Sequence, residues 1–110
     1  MDDLLRTRLN QLQDQSQLLK QAEGSYRLQE AKRKSLEADL FLATSGKSVA
    51  EREAGVFASD VYKEFMADLA RLETNFNHHR RRFSILESAY LAEYASYKID
   101  ANLIRKEGNQ

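Results

Sequence analysis

Tyr62, Leu69, Phe76, Phe83, Tyr90, Tyr97 and Ile104 recur every seven residues without a miss. On an α-helix that spacing returns to one face every two turns, so these side chains make a single apolar seam about 63 Å long at ~1.5 Å rise per residue. A lone helix cannot hide such a seam from water, and the rest of the chain must supply what covers it. A companion row on the same helix, Phe65, Leu72, His79, Leu86, Glu93 and Asp100, starts apolar and turns polar toward the C-terminus. The covered edge therefore weakens in that direction.

The first third of the chain offers the second helix. With no Pro and 4 Gly in 110 residues, nothing between Asp3 and about Leu42 breaks a helix except Gly24, a soft point costing about 1 kcal/mol relative to Ala. The best heptad row here is Leu5, Leu12, Leu19, Tyr26, Arg33 and Leu40. The companion row, Leu9, Ser16, Glu23, Glu30 and Glu37, is almost all polar, so the apolar stripe is narrow. Thr44, Ser45, Gly46 and Lys47 end the helix, with Gly46 expected as a left-handed cap. Ser48 and Glu51 fit a capping box in which the Glu returns to the Ser48 N–H. A short helix follows over 49–57, with Ala50, Ala54 and Phe57 as its apolar face. Ser59 and Asp60 restart the chain as a long helix to about Lys106, and Glu107–Gln110 are expected to fray.

These elements predict an all-α fold of one domain over 1–110, an elongated, coiled-coil-like antiparallel helical hairpin with a short helix at its turn. A register in which paired residue numbers sum to 102 sets Leu5 against Tyr97, Leu12 against Tyr90, Leu19 against Phe83, Tyr26 against Phe76, Arg33 against Leu69 and Leu40 against Tyr62. It also puts the turn where the helix-breaking signals lie. Val61, Met66, Ile85, Leu91, Ile99 and Leu103, with Leu4, Leu18, Leu28 and Leu36, fall off this seam. Met66, Ile85, Leu91, Ile99 and Leu103 are read as a second contact surface, most simply of a homodimer forming a helical bundle.

Lys and Arg number 17, as do Asp and Glu, so no global field draws the chain to nucleic acid or anionic lipid. Without Cys there are no disulfides, thiolate metal sites or Cys nucleophiles. Residues 1–5 do not read as a signal peptide, and no window approaches a membrane span. Gly46, Lys47 and Ser48 match only the end of a phosphate-binding loop: Phe41 stands where the first Gly is needed, and a helix precedes it instead of a strand. His78 and His79 point about 100° apart and cannot share a metal ion. No catalytic constellation or cofactor site is read, and the chain is expected not to be an enzyme. Arg80, Arg81 and Arg82 form the sharpest charge feature, with Lys20 and Arg27 expected nearby on the facing helix. They suit phosphates, an acidic partner chain or plain solvation. Lys32, Arg33 and Lys34 are expected against Asp68 and Glu73.

The run Gly46 to Ala54, then Ala58, Ser59, Asp60 and Tyr62 to Phe65, the Arg80 to Glu87 stretch and the closing Lys98 to Asn102 resemble small helical proteins encoded in the early or recombination regions of tailed phages and prophages. The resemblance covers about two thirds of the chain. It implies a bacterial cytoplasm and a neighbourhood of annealing proteins, single-strand-binding proteins and nucleases; it transfers no catalytic residue. The leading expectation is a homo-oligomeric interaction protein that binds a phage or host protein. The alternative is an accessory nucleic-acid-binding protein using Lys20, Arg27 and Arg80 to Arg82.

Overall fold

The structure, a computed structural model, describes residues 3–108, with side chains described over 3–105. Among these residues there are three helices and no strand: α1 (Asp3–Ala43), α2 (Val49–Ala58) and α3 (Asp60–Gly108). The fold is the expected all-α helical hairpin with a short helix at its turn. It divides into two compact units, residues 21–77 and residues 3–20 with 78–108. α3 continues through Glu107 and Gly108, where fraying was expected; Asn109 and Gln110 lie outside the described residues.

In the 21–77 unit the turn is closed by side chains more than by glycine conformation. Thr44 ends α1: its Oγ1 donates to the Leu40 carbonyl at 2.6 Å and its N–H to that of Phe41. No described residue, Gly46 included, has a positive φ, so the expected left-handed cap does not form. Space at Gly46 is tight instead. A Cβ there would stand 3.1 Å from Arg52 Cγ and 3.2 Å from Glu51 Cβ, under the first turn of α2. The cap of α2 also differs in one arm. Ser48 Oγ accepts from the Glu51 N–H as expected, but Glu51 Oε2 accepts from the Lys47 N–H at 2.8 Å, one residue further back.

The buried face of α2 is not the one its composition suggests. Ala50, Ala54 and Phe57 are exposed, whereas Arg52, Gly55, Val56 and Ser59 turn inward, with Val56 fully buried. Gly55 decides this. A Cβ there would come within 2.4 Å of Thr44 Cγ2, and Thr44 is fixed by its own hydrogen bond, so only glycine lets α2 lie this close to the end of α1. Ser59 then ends α2 and, through its Oγ accepting from the Tyr62 N–H, starts α3.

Tyr62, Leu69 and Phe76 of the seam are buried here, together with Ala22. Tyr26 stacks on Phe76 at 5.7 Å, a pair the heptad register names. Tyr62, expected beside Leu40, donates its hydroxyl to Glu37 Oε1 at 2.8 Å instead. Helical side chains lean toward their own N-terminus, so in an antiparallel pair the residues whose tips meet sum to several more than those whose backbones stand level; Tyr26 with Phe76 and Tyr62 with Glu37 therefore belong to a backbone register below the expected sum of 102. Arg33 pairs with Glu30 and Glu37, and Asp68 with Arg71; these basic and acidic groups are satisfied along their own helices, not across the hairpin as expected. Leu36, expected off the seam, is half-buried, and so is Met66.

Two predictions arise from this unit. Burial first, then the hydrogen bond to Glu37, raises the Tyr62 phenol above its usual pKa of 10.0. A raised folded pKa gives stability that is complete below the unfolded value and lost as pH climbs through the folded one. Urea melts should therefore show the parent weakening above pH 10 more steeply than Tyr62→Phe, which at neutral pH costs about 1–3 kcal/mol from the lost hydrogen bond to a carboxylate. Gly24 lies within unbroken helix with nothing within 4 Å of an added Cβ, so Gly24→Ala should raise stability by about 0.5–1 kcal/mol in the same assay.

In the unit of residues 3–20 and 78–108 the register departs from expectation in the same direction, by about one heptad. His79, expected opposite Glu23, is instead bonded to Gln15. That alignment sets Leu12 level with about Phe83 and Leu5 level with about Tyr90. It explains why Leu5 is only 2% exposed while Tyr97, its expected partner, is 38% exposed. It also brings the start of α1 level with about Leu91, and every described residue from 94 to 105 is exposed.

Candidate interaction surface

Gln15 is the one buried polar residue in the described core, 2% exposed. It lies on the row Arg8, Gln15, Ala22, Gln29 and Leu36, three residues after the leucine row rather than four. Its Nε2 stands 2.9 Å from His79 Nδ1 and 3.2 Å from the His79 carbonyl oxygen. Since the carbonyl can only accept, the amide donates to both atoms, and His79 carries its ring proton on Nε2. The amide thus has a defined partner for each hydrogen, which is what a buried polar group in a coiled-coil seam requires. The sequence hid it: the Gln-rich run over 10–21 reads as the solvated side of α1, whereas Gln15 within it is buried.

Four of the five cations, Lys20 and Arg80 to Arg82, belong to the unit of residues 3–20 and 78–108. Arg27 belongs to the 21–77 unit and is held by Glu23 at 2.9 Å. In the other unit Lys20 and Arg80 to Arg82 are all exposed. Arg82 lines a shallow groove with Gln11, Asp14, Gln15, Leu18 and Leu86, one to two turns from Lys20 and beside an acid. It also lines a second hollow with His78, Arg81, Ile85 and Leu86. Neither Arg81 nor Arg82 has an ion-pair partner among the described residues. The His78 and His79 rings meet edge to face at 5.3 Å, and no described group of three or more His, Asp or Glu residues could hold a metal ion. Lys47 and Ser48 are engaged in the α2 cap, which leaves no phosphate cradle at Gly46.

Of the expected second surface, Ile85, Leu91, Ile99 and Leu103 stand exposed on α3, Ile85 to 69%; Met66 lies in the other unit and is half-buried. Ile85, Ala89, Ala92, Ser96, Ile99 and Leu103 alternate four and three residues apart, which is a heptad line about a third of a turn from the covered seam. Leu91 sits off this line. Leu4, Leu18, Leu28 and Val61 are also exposed, as surface apolar residues commonly are. No described helix is long and apolar enough to cross a membrane.

Set against family models, curated proteins and solved structures, the chain matches none. A functional reading therefore rests on the two seams of α3 and on the cations beside them.

Proposed function

We propose that this chain is a non-enzymatic interaction protein of phage or prophage type. It is a homo-oligomer, with a dimer favoured, and works in the bacterial cytoplasm by occupying the surface of a phage or host protein of DNA metabolism or host takeover. The observation that supports this reading is the second apolar line on α3. Ile85, Ile99 and Leu103 are displayed at heptad spacing on a helix whose first seam already turns inward. Exposed apolar side chains in line along a helix suit a protein groove or helix better than solvent. The phage setting rests on the resemblance of residues 46–54, 58–65, 80–87 and 98–102.

Pull-down from an infected or lysogenic host should enrich a discrete protein with the parent and lose it with Ile85→Asp. Nucleic acid recovered alone would sink the reading. The second reading, an accessory nucleic-acid-binding protein in phage recombination, is supported by the unpaired guanidinium groups of Arg81 and Arg82. It predicts a mobility shift with DNA or RNA that weakens steeply with salt, and Arg81→Ala with Arg82→Ala should reduce the salt slope by about two.

A further inference from the structure

α3 carries its apolar seam past the point where α1 begins. Tyr90 is half-buried, but Tyr94, Tyr97, Ala101 and Ile104, which continue the seam at alternating four- and three-residue steps, are exposed, Ile104 to 70%. Among the described residues no segment lies opposite them. Tyr97, Asp100, Ala101 and Ile104 line a shallow concavity. At i, i+3, i+4 and i+7 they are the four residues that make a hole for one knob of a facing helix. Tyr90 stacks on Tyr94 at 6.2 Å and Lys98 lies over the Tyr94 ring at 5.4 Å, so these groups pack on one another along α3 itself.

The flanks of this stretch are charged by side. Glu93 and Asp100 border one edge of the seam; Lys98 and Arg105 border the other. In a parallel, in-register pair of identical helices the residue on one edge meets the residue five positions later on the opposite edge of its mate. Glu93 then faces Lys98 of the second copy and Asp100 faces Arg105, twice over by symmetry. In an antiparallel pair like edges meet, setting Lys98 against Lys98 and Asp100 against Asp100.

From the uncovered seam and this charge pattern we infer that the C-terminal part of α3, residues 93–105, pairs with the same segment of a second copy as a parallel two-stranded coiled coil. The second copy takes up the seam where α1 leaves it, and its Ala101 enters the hole made by Tyr97, Asp100, Ala101 and Ile104. The inference rests on the proposed homo-oligomer and names its geometry. It leaves the outer line of Ile85, Ile99 and Leu103 for a different protein.

The test uses the full chain in sedimentation equilibrium, with circular dichroism to check that helix content is kept. The parent should be a dimer at tens of micromolar. Glu93→Lys with Asp100→Lys, and separately Lys98→Glu with Arg105→Glu, should each weaken dimerisation on the order of 100-fold, and an equimolar mixture of the two should recover a heterodimer. Because the chain has no Cys, Ile104→Cys should cross-link to its own symmetry mate under mild oxidation. A dimer that ignores both charge variants and fails to cross-link, but dissociates with Ile85→Asp, would overturn this geometry while leaving the homo-oligomer standing. A parent that stays monomeric would overturn both.

Discussion

Leu69→Asp should abolish cooperative folding of the 21–77 unit. Leu69 is 4% exposed and lies midway along the seam between Tyr62 and Phe76, both also buried. Nearby cations already have acidic partners: Arg33 pairs with Glu30 and Glu37, and Arg71 with Asp68. Burying an unpartnered charge costs several kcal/mol even after the group protonates, against a total of about 5–15 kcal/mol for an ordinary domain. Leu69→Ala calibrates the site, with an expected loss of about 2–5 kcal/mol from the cavity and lost burial. Circular dichroism during urea titration is the measurement. The control is Ile85→Asp, whose side chain is largely in water and which should keep helix content within about 0.5 kcal/mol of the parent's stability. If Leu69→Asp melts like the parent, the heptad seam does not hold this unit together.

That seam was legible because periodicity is a property of one helix alone. Five of the seven apolar residues at that spacing, Tyr62 to Tyr90, are buried or half-buried, and Tyr97 and Ile104 are exposed. Features that depend on two elements meeting were not legible in the same way. The buried face of α2 was misread because Ala50, Ala54 and Phe57 are more apolar than Arg52, Gly55, Val56 and Ser59. The deciding contact, Gly55 against Thr44, involves a residue with no side chain to signal it. Gly46 reads as a left-handed cap by its chemistry, yet it has no positive φ and sits close against Glu51 and Arg52. The Arg80 to Arg82 run is visible in any reading. Its neighbours are not, because they follow from which residue of α1 lies opposite, and that follows from the register.

The register is the most instructive case. Heptad rows on two helices match again after sliding by seven residues, so Leu5 and Leu12 can lie level with Tyr97 and Tyr90 or with Tyr90 and Phe83. Apolar contacts alone favour the first, which would also cover Tyr94 and Tyr97. The buried polar pair selects the second: only that alignment lets Gln15 reach both His79 Nδ1 and the His79 carbonyl. A polar residue at a core position that fixes alignment at some cost in stability is a known device of coiled coils.

Gln15→Ala should therefore cost about 1–3 kcal/mol, through the lost hydrogen bonds and the space left behind, and a double-mutant cycle with His79→Ala should show a coupling of about 0.5–3 kcal/mol. Gln15→Leu separates stability from alignment. It refills the space with apolar surface and should return the urea midpoint close to the parent's, while leaving the slid alignment no longer penalised. Two cysteine pairs placed in the Cys-free chain read the alignment: Leu5→Cys with Tyr90→Cys reports the observed register, and Leu5→Cys with Tyr97→Cys the slid one. With Gln15 present the first pair alone should form a disulfide within one chain. With Leu at 15 both pairs should form, and a nuclear magnetic resonance spectrum should show doubled backbone signals from residues 3–20. If the Gln15→Leu chain keeps a single set of signals and only the first disulfide, packing alone fixes the alignment and the Gln15–His79 pair is merely satisfied within it.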